Sequence, residues 1–494
     1  MPVPFLFDRR ADAPLHRQIY DQWREGILSG RFRRRMRVPS TRAFAAAYGL
    51  SRSTATAAYE QLIAEGYFET AVGSGTFVCS ELPDDARRAV GQKSSAHGAR
   101  VAGIVGDRTS RADARIRLSA FARRLRDDPR SPSPDAGLVN LSNLGPDLHL
   151  FPFAVWRRVL TRHLRRVTTS AFDHSTPAGG NEALRREIAA YLARSRAVRC
   201  AADQVVVLTG SQQGLDLCAR LLVEPGDEVA VEDPGYNGMI HLLRAHGATV
   251  RPIPMTADGA SIREITGEPR LAFVTPSHQF PTGVSMSIAR RLELLQWARR
   301  RGAVVIEDDY DSEYRYRGAP LPAMQSLAGD VPVVYLGTFS NVMFPALRIG
   351  YAVLPPELLE PFKRAKHLTD RHTPLLEQAA LADFISEGHL ERHIRRMRRI
   401  YKSRREALIA ALDRHFGDRI TIHGDAAGMH LAASIRVRDL AARAQRAGVH
   451  VRSTTGYYSS AAPRTEFVFG FASMSERAIG DAIRRIAAAV AQPS

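Results

Sequence analysis

The feature that most constrains the fold is an alternation that runs from Val139 to the end of the chain. Short runs of β-branched and aliphatic residues alternate there with longer stretches of amphipathic helical pattern. The runs that we expect to form strands are residues 205–208, 228–231, 271–274, 304–306 and 333–336. This alternation predicts an α/β domain with a largely parallel sheet. Because ligands of such sheets bind at the carboxyl ends of the strands, any site is expected in the loops that follow these runs.

Length and local pattern divide the chain into three parts. Its 494 residues exceed what one hydrophobic core usually organises. We expect an N-terminal unit over residues 1–80, a basic flexible linker over 81–137 and a large unit over 138–494. The linker is poor in periodic apolar residues, rich in Ser, Gly and Pro, and includes a short helix over 116–125. Such a linker lets the first unit reach a partner subunit.

Composition narrows the class of protein. The three cysteines show no paired spacing, which argues against a metal site or a disulfide framework. Neither an apolar run of membrane-spanning length nor a secretory signal is present, so we expect a cytoplasmic protein with no membrane partner. The formal charge of +18 favours a polyanionic partner such as double-stranded DNA. Arginine-rich composition can also reflect nucleotide bias, since the chain contains only four lysines.

The first eighty residues carry the pattern of a DNA reader. Apolar residues recur at four-residue steps from Leu15 to Ile27, and this spacing predicts a first helix over residues 14–29. Ser40 and Ser51 are good N-caps for two further helices, over 40–48 and 51–66, and Gly49 forms the turn between them. Two short helices joined in this way are typical of a helix-turn-helix. A plain helical bundle is the alternative.

The second helix of such a pair lies in the major groove and presents its first residues to base edges. That end carries the candidate DNA contacts Arg52, Ser53, Thr54 and Thr56. Residues 67–78 then form two β-rich runs around Gly73-Ser74-Gly75, which predict a hairpin wing able to approach the minor groove or the phosphates. We therefore add Gly75 to the candidate contacts.

These segments resemble the GntR-type winged helix. The resemblance rests on PLHRQIYDQWREGILSG, VPSTRAFAAAYGLSRSTATAAYEQLIAEGYFE and GSGTFV. It implies DNA contacts from Arg42, Arg52 and Ser53. One departure is Arg33-Arg34-Arg35-Met36, where relatives have a Pro-Gly turn. The pattern leaves the geometry of that turn open and adds candidates for phosphate contacts.

The loops of the large unit carry groups suited to a flat, phosphate-bearing ligand. Ser211 and Gln212 open a helix directly after a strand, where exposed amides bind phosphate. A simple glycine-containing turn is the alternative for this loop. Tyr236 follows the next strand and either stacks on a ligand ring or packs internally.

A further strand ends in Ile306-Glu-Asp-Asp-Tyr310. Because side chains alternate along a strand, Asp308 and Tyr310 share one face while Glu307 and Asp309 share the other. A carboxylate beside a phenol can bind a pyridinium nitrogen and the neighbouring ring oxygen, although an acidic loop cap is the alternative. Downstream, two hydroxyls and a guanidinium suit a phosphate cup, those of Thr338, Ser340 and Arg348.

In this order the pieces resemble fold-type I aminotransferases, and with the N-terminal unit the chain resembles MocR-type regulators. The resemblance rests on HSTPAGGNEALRREIAAYL, TGSQQGLDL, VEDPGYNG, TPSHQFPTGVSMS, IEDDYDSEYRY and GTFSNVMFPALRIGYAVLP. It implies a smaller C-terminal α/β subdomain over about 360–494 and a homodimer with pyridoxal 5'-phosphate near the subunit boundary. The implied phosphate ligands are Ser211, Gln212, Thr338, Ser340 and Arg348; the implied ring contacts are Tyr236, Asp308 and Tyr310.

Two positions depart from that family. Relatives carry the Schiff-base lysine after Thr-Phe-Ser, where this chain has Asn341, and an amide nitrogen is not a useful nucleophile. Relatives also carry an arginine that grips the ligand carboxylate, where this chain has Val468. No lysine lies between Lys93 and Lys363, so a substitute amine would have to be Lys363 or Lys366, and a substitute guanidinium Arg452 or Arg464.

We therefore expect no catalytic residue and a degenerate aminotransferase. The leading hypothesis is a DNA-binding transcription regulator whose large unit dimerises and senses a small-molecule effector, with any pyridoxal phosphate or related vitamer held non-covalently and no metal. The alternatives are a pyridoxal-phosphate-dependent aminotransferase with an appended DNA-binding domain, and a purely structural dimeriser. The arginine-rich helix over 389–406 is either a solvated face or an extension of the DNA footprint.

Overall fold

The computed structural model describes residues 5–9, 11–71, 73–83, 116–125, 137–166, 179–318, 321–424 and 426–491. They belong to two compact units, residues 1–116 and 117–494. Most of the expected linker, and residues 174–178 of the HSTPAGG motif, lie outside the described residues. Within the described ranges, no helix is both long and apolar enough to cross a membrane.

The first unit is a winged helix-turn-helix, as the sequence predicts. Its helices are α1 (Leu15–Leu28), α2 (Thr41–Ala47) and α3 (Arg52–Ala64), and its wing pairs β1 (Phe68–Ala71) with β2 (Gly75–Val78) in antiparallel register. The Ser40 and Ser51 hydroxyls accept from the third amide of α2 and α3 respectively. The core packs one aromatic cluster around Trp23, whose ring lies 4.4 Å from Phe32 and 5.2 Å from Phe68.

The turn that the sequence leaves open holds Arg35 in the left-handed region, at φ 62°. The Arg35 amide donates to the Val78 carbonyl at 2.9 Å, and the Val38 amide donates to Thr76. These bonds tie the segment before α2 to the wing. The arginine therefore occupies a backbone conformation that favours glycine.

The second unit is built on an eight-stranded sheet. Its strands are β4 (Val205–Leu208), β5 (Glu228–Asp233), β6 (Thr249–Thr256), β7 (Gly259–Ala260), β8 (Leu271–Val274), β9 (Val304–Asp309), β10 (Val333–Thr338) and β11 (Gly350–Val353). Their order in the sheet is β4-β11-β10-β9-β8-β5-β6-β7. Strands β10, β9, β8, β5 and β6 are mutually parallel. Strand β11 runs antiparallel to both of its neighbours, β10 and β4, and β7 runs antiparallel to β6. This mostly parallel sheet confirms the predicted fold class.

Helices cover both faces of this sheet, and its central strands are mostly buried, whereas β6 near its edge is largely half-buried. Leu208, Leu336 and Phe273 are fully buried in one cluster, and Val305, Val274 and Trp297 belong to another. The helices of the sheet region are α4 (Ala120–Arg124), α5 (Phe153–Arg166), α6 (Glu182–Arg196), α7 (Ser211–Leu222), α8 (Asn237–His246), α9 (Ile288–Arg301), α10 (Pro356–Asp370) and α11 (Leu375–Ser386).

The C-terminal part forms a smaller sheet of order β12-β13-β16-β15, with all neighbours antiparallel. A short parallel pair joins β14 to β3, so the chain at Val139 is tied to the C-terminal part. The elements are β3 (Val139–Asn140), α12 (His389–Phe416), β12 (Ile420–His423), β13 (His430–Ile435), α13 (Leu440–Arg446), β14 (Val449–His450), β15 (Arg452–Ser453), β16 (Glu466–Gly470) and α14 (Glu476–Ala491).

The short helix expected near the end of the linker is present as α4, and it packs on α8. The Phe121 ring lies 5.0 Å from the His246 ring, and the Arg124 guanidinium donates to the Ala245 carbonyl at 3.3 Å. This helix therefore belongs to the second unit, although the sequence pattern placed it in the linker.

Candidate functional site

A cavity of about 310 Å³ lies at the carboxyl ends of the strands of the large sheet. All nine candidate ligand contacts line it: Ser211, Gln212, Tyr236, Asp308, Tyr310, Thr338, Ser340, Asn341 and Arg348. Sequence reasoning missed five further lining residues, Leu144, Gly145, Thr275, Phe280 and His430. Thr275 and Phe280 belong to the quoted TPSHQFPTG segment, whereas no local pattern marks the other three.

One end of the cavity is a cup of amides, hydroxyls and a guanidinium. Gly210 precedes α7 at φ 85° and makes no side-chain cap, so the first amides of the helix stay open. The Arg348 Nη2 donates to the Thr209 carbonyl at 3.0 Å, and a Cβ at position 210 would lie 2.6 Å from that nitrogen. The Thr338 hydroxyl donates to the Ser340 Oγ at 3.0 Å. Amides, hydroxyls and a guanidinium arranged in this way can bind a phosphate group.

The other end is set by the alternation in β9. Glu307 points away and accepts from the Met324 and Gln325 amides at 2.8 and 2.9 Å. Asp309 likewise points away, toward Arg196, whose Nε lies 2.7 Å from its carboxylate. Asp308 and Tyr310 therefore face the cavity together, in the arrangement that the sequence predicts.

The Asp308 carboxylate suits a cationic ring nitrogen. Its Oδ1 is buried and has no hydrogen-bond partner among the described residues. Burial, together with the negative charges of Asp309, Asp311 and Glu232, raises the pKa of Asp308 to about 7. A positive charge placed beside this carboxylate would relieve the cost of its ionisation.

Behind Tyr310 lies a buried group of His278, Asp311 and His430. The His278 Nδ1 lies 3.0 Å from both the Asp311 carboxylate and the Tyr310 hydroxyl oxygen. One potential ligand atom from each of the three residues lies within 4.8 Å of the others. We interpret the three residues as a hydrogen-bonded group that supports the Tyr310 hydroxyl. That no metal is bound stays a prediction.

Asn341 occupies the cavity wall, where its Nδ2 donates to the Tyr310 carbonyl at 2.9 Å. No lysine lines the cavity among the described residues. Lys366 is fully buried elsewhere, and its Nζ lies 2.9 Å from Asp370 and 3.2 Å from the Thr373 hydroxyl. Lys363 lies 3.4 Å from Glu360 on the same helix. Neither side chain therefore reaches the cavity as a substitute amine in this structure.

Val468 is fully buried in β16, opposite Arg452 of β15 and Ala432 of β13. The Arg452 Nη1 donates to the Tyr457 hydroxyl at 3.1 Å, and the Tyr457 ring lies 5.1 Å from the ring of Phe280 in the cavity wall. Arg464 is exposed. Neither of the two candidate substitute arginines lines the cavity, and Arg452 is connected to its wall through Tyr457 and Phe280.

On the first unit, the candidate DNA contacts Arg42, Arg52, Ser53 and Gly75 are exposed. Thr54 and Thr56 are half-buried. The Thr54 hydroxyl lies 2.6 Å from the Ser51 hydroxyl at the start of α3, so it belongs to the helix cap. These exposed residues are accessible to DNA, and their contacts with it stay predictions.

Comparison with known proteins agrees with both units. Residues 15–78 match the model of bacterial regulatory proteins of the gntR family, and residues 142–486 match that of class I and II aminotransferases. The chain is 39% identical to the probable rhizopine catabolism regulatory protein MocR of Rhizobium meliloti, over 98% of this chain and 95% of the relative.

Two further relatives cover different shares of the chain. The pyridoxine biosynthesis regulator PdxR of Corynebacterium glutamicum is 29% identical over 99% of this chain and 98% of its own length. The crystal structure of LysN, the α-aminoadipate aminotransferase of Thermus thermophilus in complex with N-(5'-phosphopyridoxyl)-L-leucine, matches with a TM-score of 0.66 at 28% identity and covers 76% of this chain and 95% of LysN. The chain therefore belongs to the MocR-type transcription regulators, which join a GntR-type DNA-binding domain to a class I and II aminotransferase domain.

Proposed function

We propose that this DNA-binding regulator uses its large unit as a dimerising, ligand-sensing module that binds pyridoxal 5'-phosphate or a related vitamer without a covalent bond and without transaminase catalysis. The observation that carries the proposal is Asn341 in the wall of a cavity that otherwise keeps a phosphate cup and a carboxylate. From the family resemblance we expect working relatives to carry their Schiff-base lysine at this position.

The chain's own groups fit such a ligand. The open amides of α7, the two hydroxyls of Thr338 and Ser340 and the Arg348 guanidinium would hold the phosphate. Asp308 would pair with the ring nitrogen, Tyr310 would donate to the ring oxygen, and Tyr236 would cover the ring. A charge-assisted pairing at Asp308 would satisfy the Oδ1 that has no partner among the described residues.

Asn341 limits what this site can do chemically. When bound, pyridoxal phosphate supplies an aldehyde and an electron-withdrawing ring. The Asn341 amide nitrogen is delocalised into its carbonyl and already donates to the Tyr310 carbonyl. It can neither attack the aldehyde nor carry a proton to and from a substrate carbon. The site can therefore bind a ligand and respond to it, but it cannot catalyse transamination through this residue.

A homodimer follows from the resemblance to aminotransferases, whose fold is typically dimeric. Two copies related by a two-fold axis would present two DNA readers to two half-sites. We therefore expect the operator to contain paired or repeated half-sites.

Equilibrium dialysis of the full chain against pyridoxal phosphate tests the proposal. We expect saturable binding, release of all ligand on dialysis into buffer, and weaker binding in Arg348→Gln. Dialysis-resistant ligand attached to a lysine would contradict non-covalent binding. If no saturable binding is found even at millimolar pyridoxal phosphate, the result would favour the alternative that the large unit is a purely structural dimeriser.

The enzyme alternative has one observation in its favour, the match of residues 142–486 to class I and II aminotransferases. Incubation with common amino donors and 2-oxo acids separates the two accounts. We expect no amino-group transfer above the rate of free pyridoxal phosphate. Saturable turnover by the native chain would favour the appended-domain enzyme.

A further inference from the structure

A second cavity, of about 550 Å³, lies in the large unit between α6, α12 and residues 312–318. It shares no lining residue with the cavity of about 310 Å³ that we propose for pyridoxal phosphate, called the cofactor cavity below. Its size falls within the range of ordinary small-molecule sites, roughly 300–1,000 Å³. It is therefore large enough for a metabolite-sized ligand of its own.

The lining of this cavity is strongly basic. Five arginines face two glutamates, Glu313 and Glu391; the arginines are Arg194, Arg196, Arg315, Arg395 and Arg398. Two of the arginines have carboxylate partners, since Arg194 pairs with Glu391 at 3.1 Å and Arg196 pairs with Asp309 at 2.7 Å. The other three make no ion pair with a described residue, so the cavity carries excess positive charge.

Arg315 brings to this cavity a buried donor group that has no protein acceptor among the described residues. Its Nη1 donates to the Ser285 hydroxyl at 3.2 Å, while its Nε is buried and has no hydrogen-bond partner among the described residues. Burial and the charge of Arg196 lower the pKa of Arg315. Arg315 as a whole is half-buried, but a buried N–H donor without an acceptor is unfavourable unless an acceptor is supplied.

One of the two lining carboxylates, that of Glu313, is only partly ionised near neutral pH. The Tyr191 hydroxyl donates to the Glu313 carboxylate at 2.8 Å. Burial, followed by the charge of Asp309, raises the pKa of Glu313 to about 7. The opposite wall holds Arg398, whose Nε donates to the Glu313 carbonyl at 2.8 Å, leaving its terminal nitrogens available.

We propose that this cavity is a second ligand site that binds a small polyanion carrying at least two carboxylate or phosphate groups. Guanidinium groups match such oxyanions by paired hydrogen bonds, and three of them converge here without carboxylate partners among the described residues. The concave shape favours a small molecule over a DNA backbone. This inference stands independently of cofactor binding.

Isothermal titration of the full chain with citrate and with inorganic pyrophosphate tests the site. Arg348→Gln is the background, because it weakens the phosphate cup of the other cavity. The double variant Arg395→Gln/Arg398→Gln removes two lining charges. Its matched control is Arg396→Gln/Arg399→Gln, which removes the same charge from exposed positions of the same helix that do not line the cavity.

We expect saturable binding of at least one probe, weakened at least tenfold in the lining pair and less than twofold in the control pair. Arg315→Gln, a variant inside the cavity, should weaken binding similarly while circular dichroism shows an unchanged fold. No saturable binding, equal losses in the two pairs, or binding abolished by Arg348→Gln alone would each overturn the site. A larger loss of DNA affinity in the lining pair than in its control would reassign these arginines to duplex contact.

Discussion

Asp308 is held in a folded environment that disfavours its charge. Its pKa is raised to about 7, mainly by burial and then by Asp309, Asp311 and Glu232. An ordinary aspartate titrates near pKa 4. The ionised carboxylate therefore destabilises the ligand-free protein. That penalty is absent below the unfolded pKa, grows as pH rises from about 4 to about 7, and is complete above the folded pKa.

Replacing the carboxyl with an amide should remove this penalty. We predict that Asp308→Asn raises the free energy of unfolding of the large unit by about 2–4 kcal/mol at pH 8 and by much less at pH 4.5. Urea denaturation at the two pH values measures it. Asp330→Asn, at an exposed carboxylate, is the control and should show no comparable gain. An equal gain at both pH values would contradict the titration argument.

Arg35 is a second residue in an unfavourable state, because its backbone lies in the left-handed region at φ 62°. A residue with a side chain costs about 1–2 kcal/mol in this backbone conformation, and a glycine avoids that cost. Glycine, however, loses more conformational entropy on folding, which offsets about 0.5–1 kcal/mol of the gain. We predict that Arg35→Gly stabilises the first unit by about 0.5–1 kcal/mol. Hydrogen-exchange mass spectrometry of the full chain resolves peptides of that unit.

Arg33→Gly is the control for this substitution, because Arg33 is exposed and has no positive φ. It should bring no gain in protection. Loss of protection in Arg35→Gly would mean that the arginine side chain stabilises the turn through contacts that outweigh its backbone strain.

Among single residues, the sequence predicts those cavity-lining residues that lie next to the end of a strand. Alternation along β9 assigns Asp308 and Tyr310 to one face and Glu307 and Asp309 to the other, and the contacts agree. His430 could not be predicted in this way. It reaches the cavity from β13 of the C-terminal part, and only the packing of the two sheets brings it there.

The turn between β4 and α7 is the element on which the phosphate cup depends. Gly210 combines a positive φ with a close approach to Arg348, so a side chain there would be strained and would displace the guanidinium. We predict that Gly210→Ala weakens pyridoxal phosphate binding at least tenfold in equilibrium dialysis, a loss of about 1.4 kcal/mol or more.

Gly226→Ala is the matched control for this turn. Gly226 also has a positive φ, but a Cβ there would meet nothing within 4 Å. It shares the backbone strain without the clash, so its ligand affinity should stay close to that of the native chain. Equal losses in both variants would mean that strain alone, and not the position of Arg348, decides binding.

Helix α12 shows why element boundaries escape sequence analysis. Its arginine-rich start draws attention to residues 389–406, whereas the helix continues to Phe416. A buried stripe that includes Leu390, Met397, Leu408 and Leu412 runs along its whole length. Charged residues dilute this stripe in the sequence, and its continuity becomes apparent only when the buried face is known.

For the whole molecule, the two-unit organisation follows from periodicity, because the winged helix and the α/β unit obey different hydrophobic patterns. The position of the C-terminal sheet relative to the large sheet cannot be predicted from periodicity. It depends on contacts between residues hundreds of positions apart, such as the pairing of β3 with β14. Local patterns carry no information about such contacts.

Sequence-specific DNA binding is best tested on the full chain. We predict that Arg52→Ala weakens binding to an operator selected from random duplexes by about 1–3 kcal/mol and relaxes its base preference. Fluorescence anisotropy at fixed salt measures both. Arg17→Ala, at an exposed position of α1 where the arginine pairs with Asp21, is the control and should change affinity little. Uniform weakening across sequences would assign Arg52 to phosphate contact instead.

The most direct test of the regulator account is the intact mass of the chain after borohydride reduction in the presence of pyridoxal phosphate. We predict an unmodified mass for the native protein, because no lysine lines the cofactor cavity among the described residues. Asn341→Lys should gain one phosphopyridoxyl group at the new lysine. Stoichiometric modification of the native chain at Lys363 or Lys366 would contradict the account.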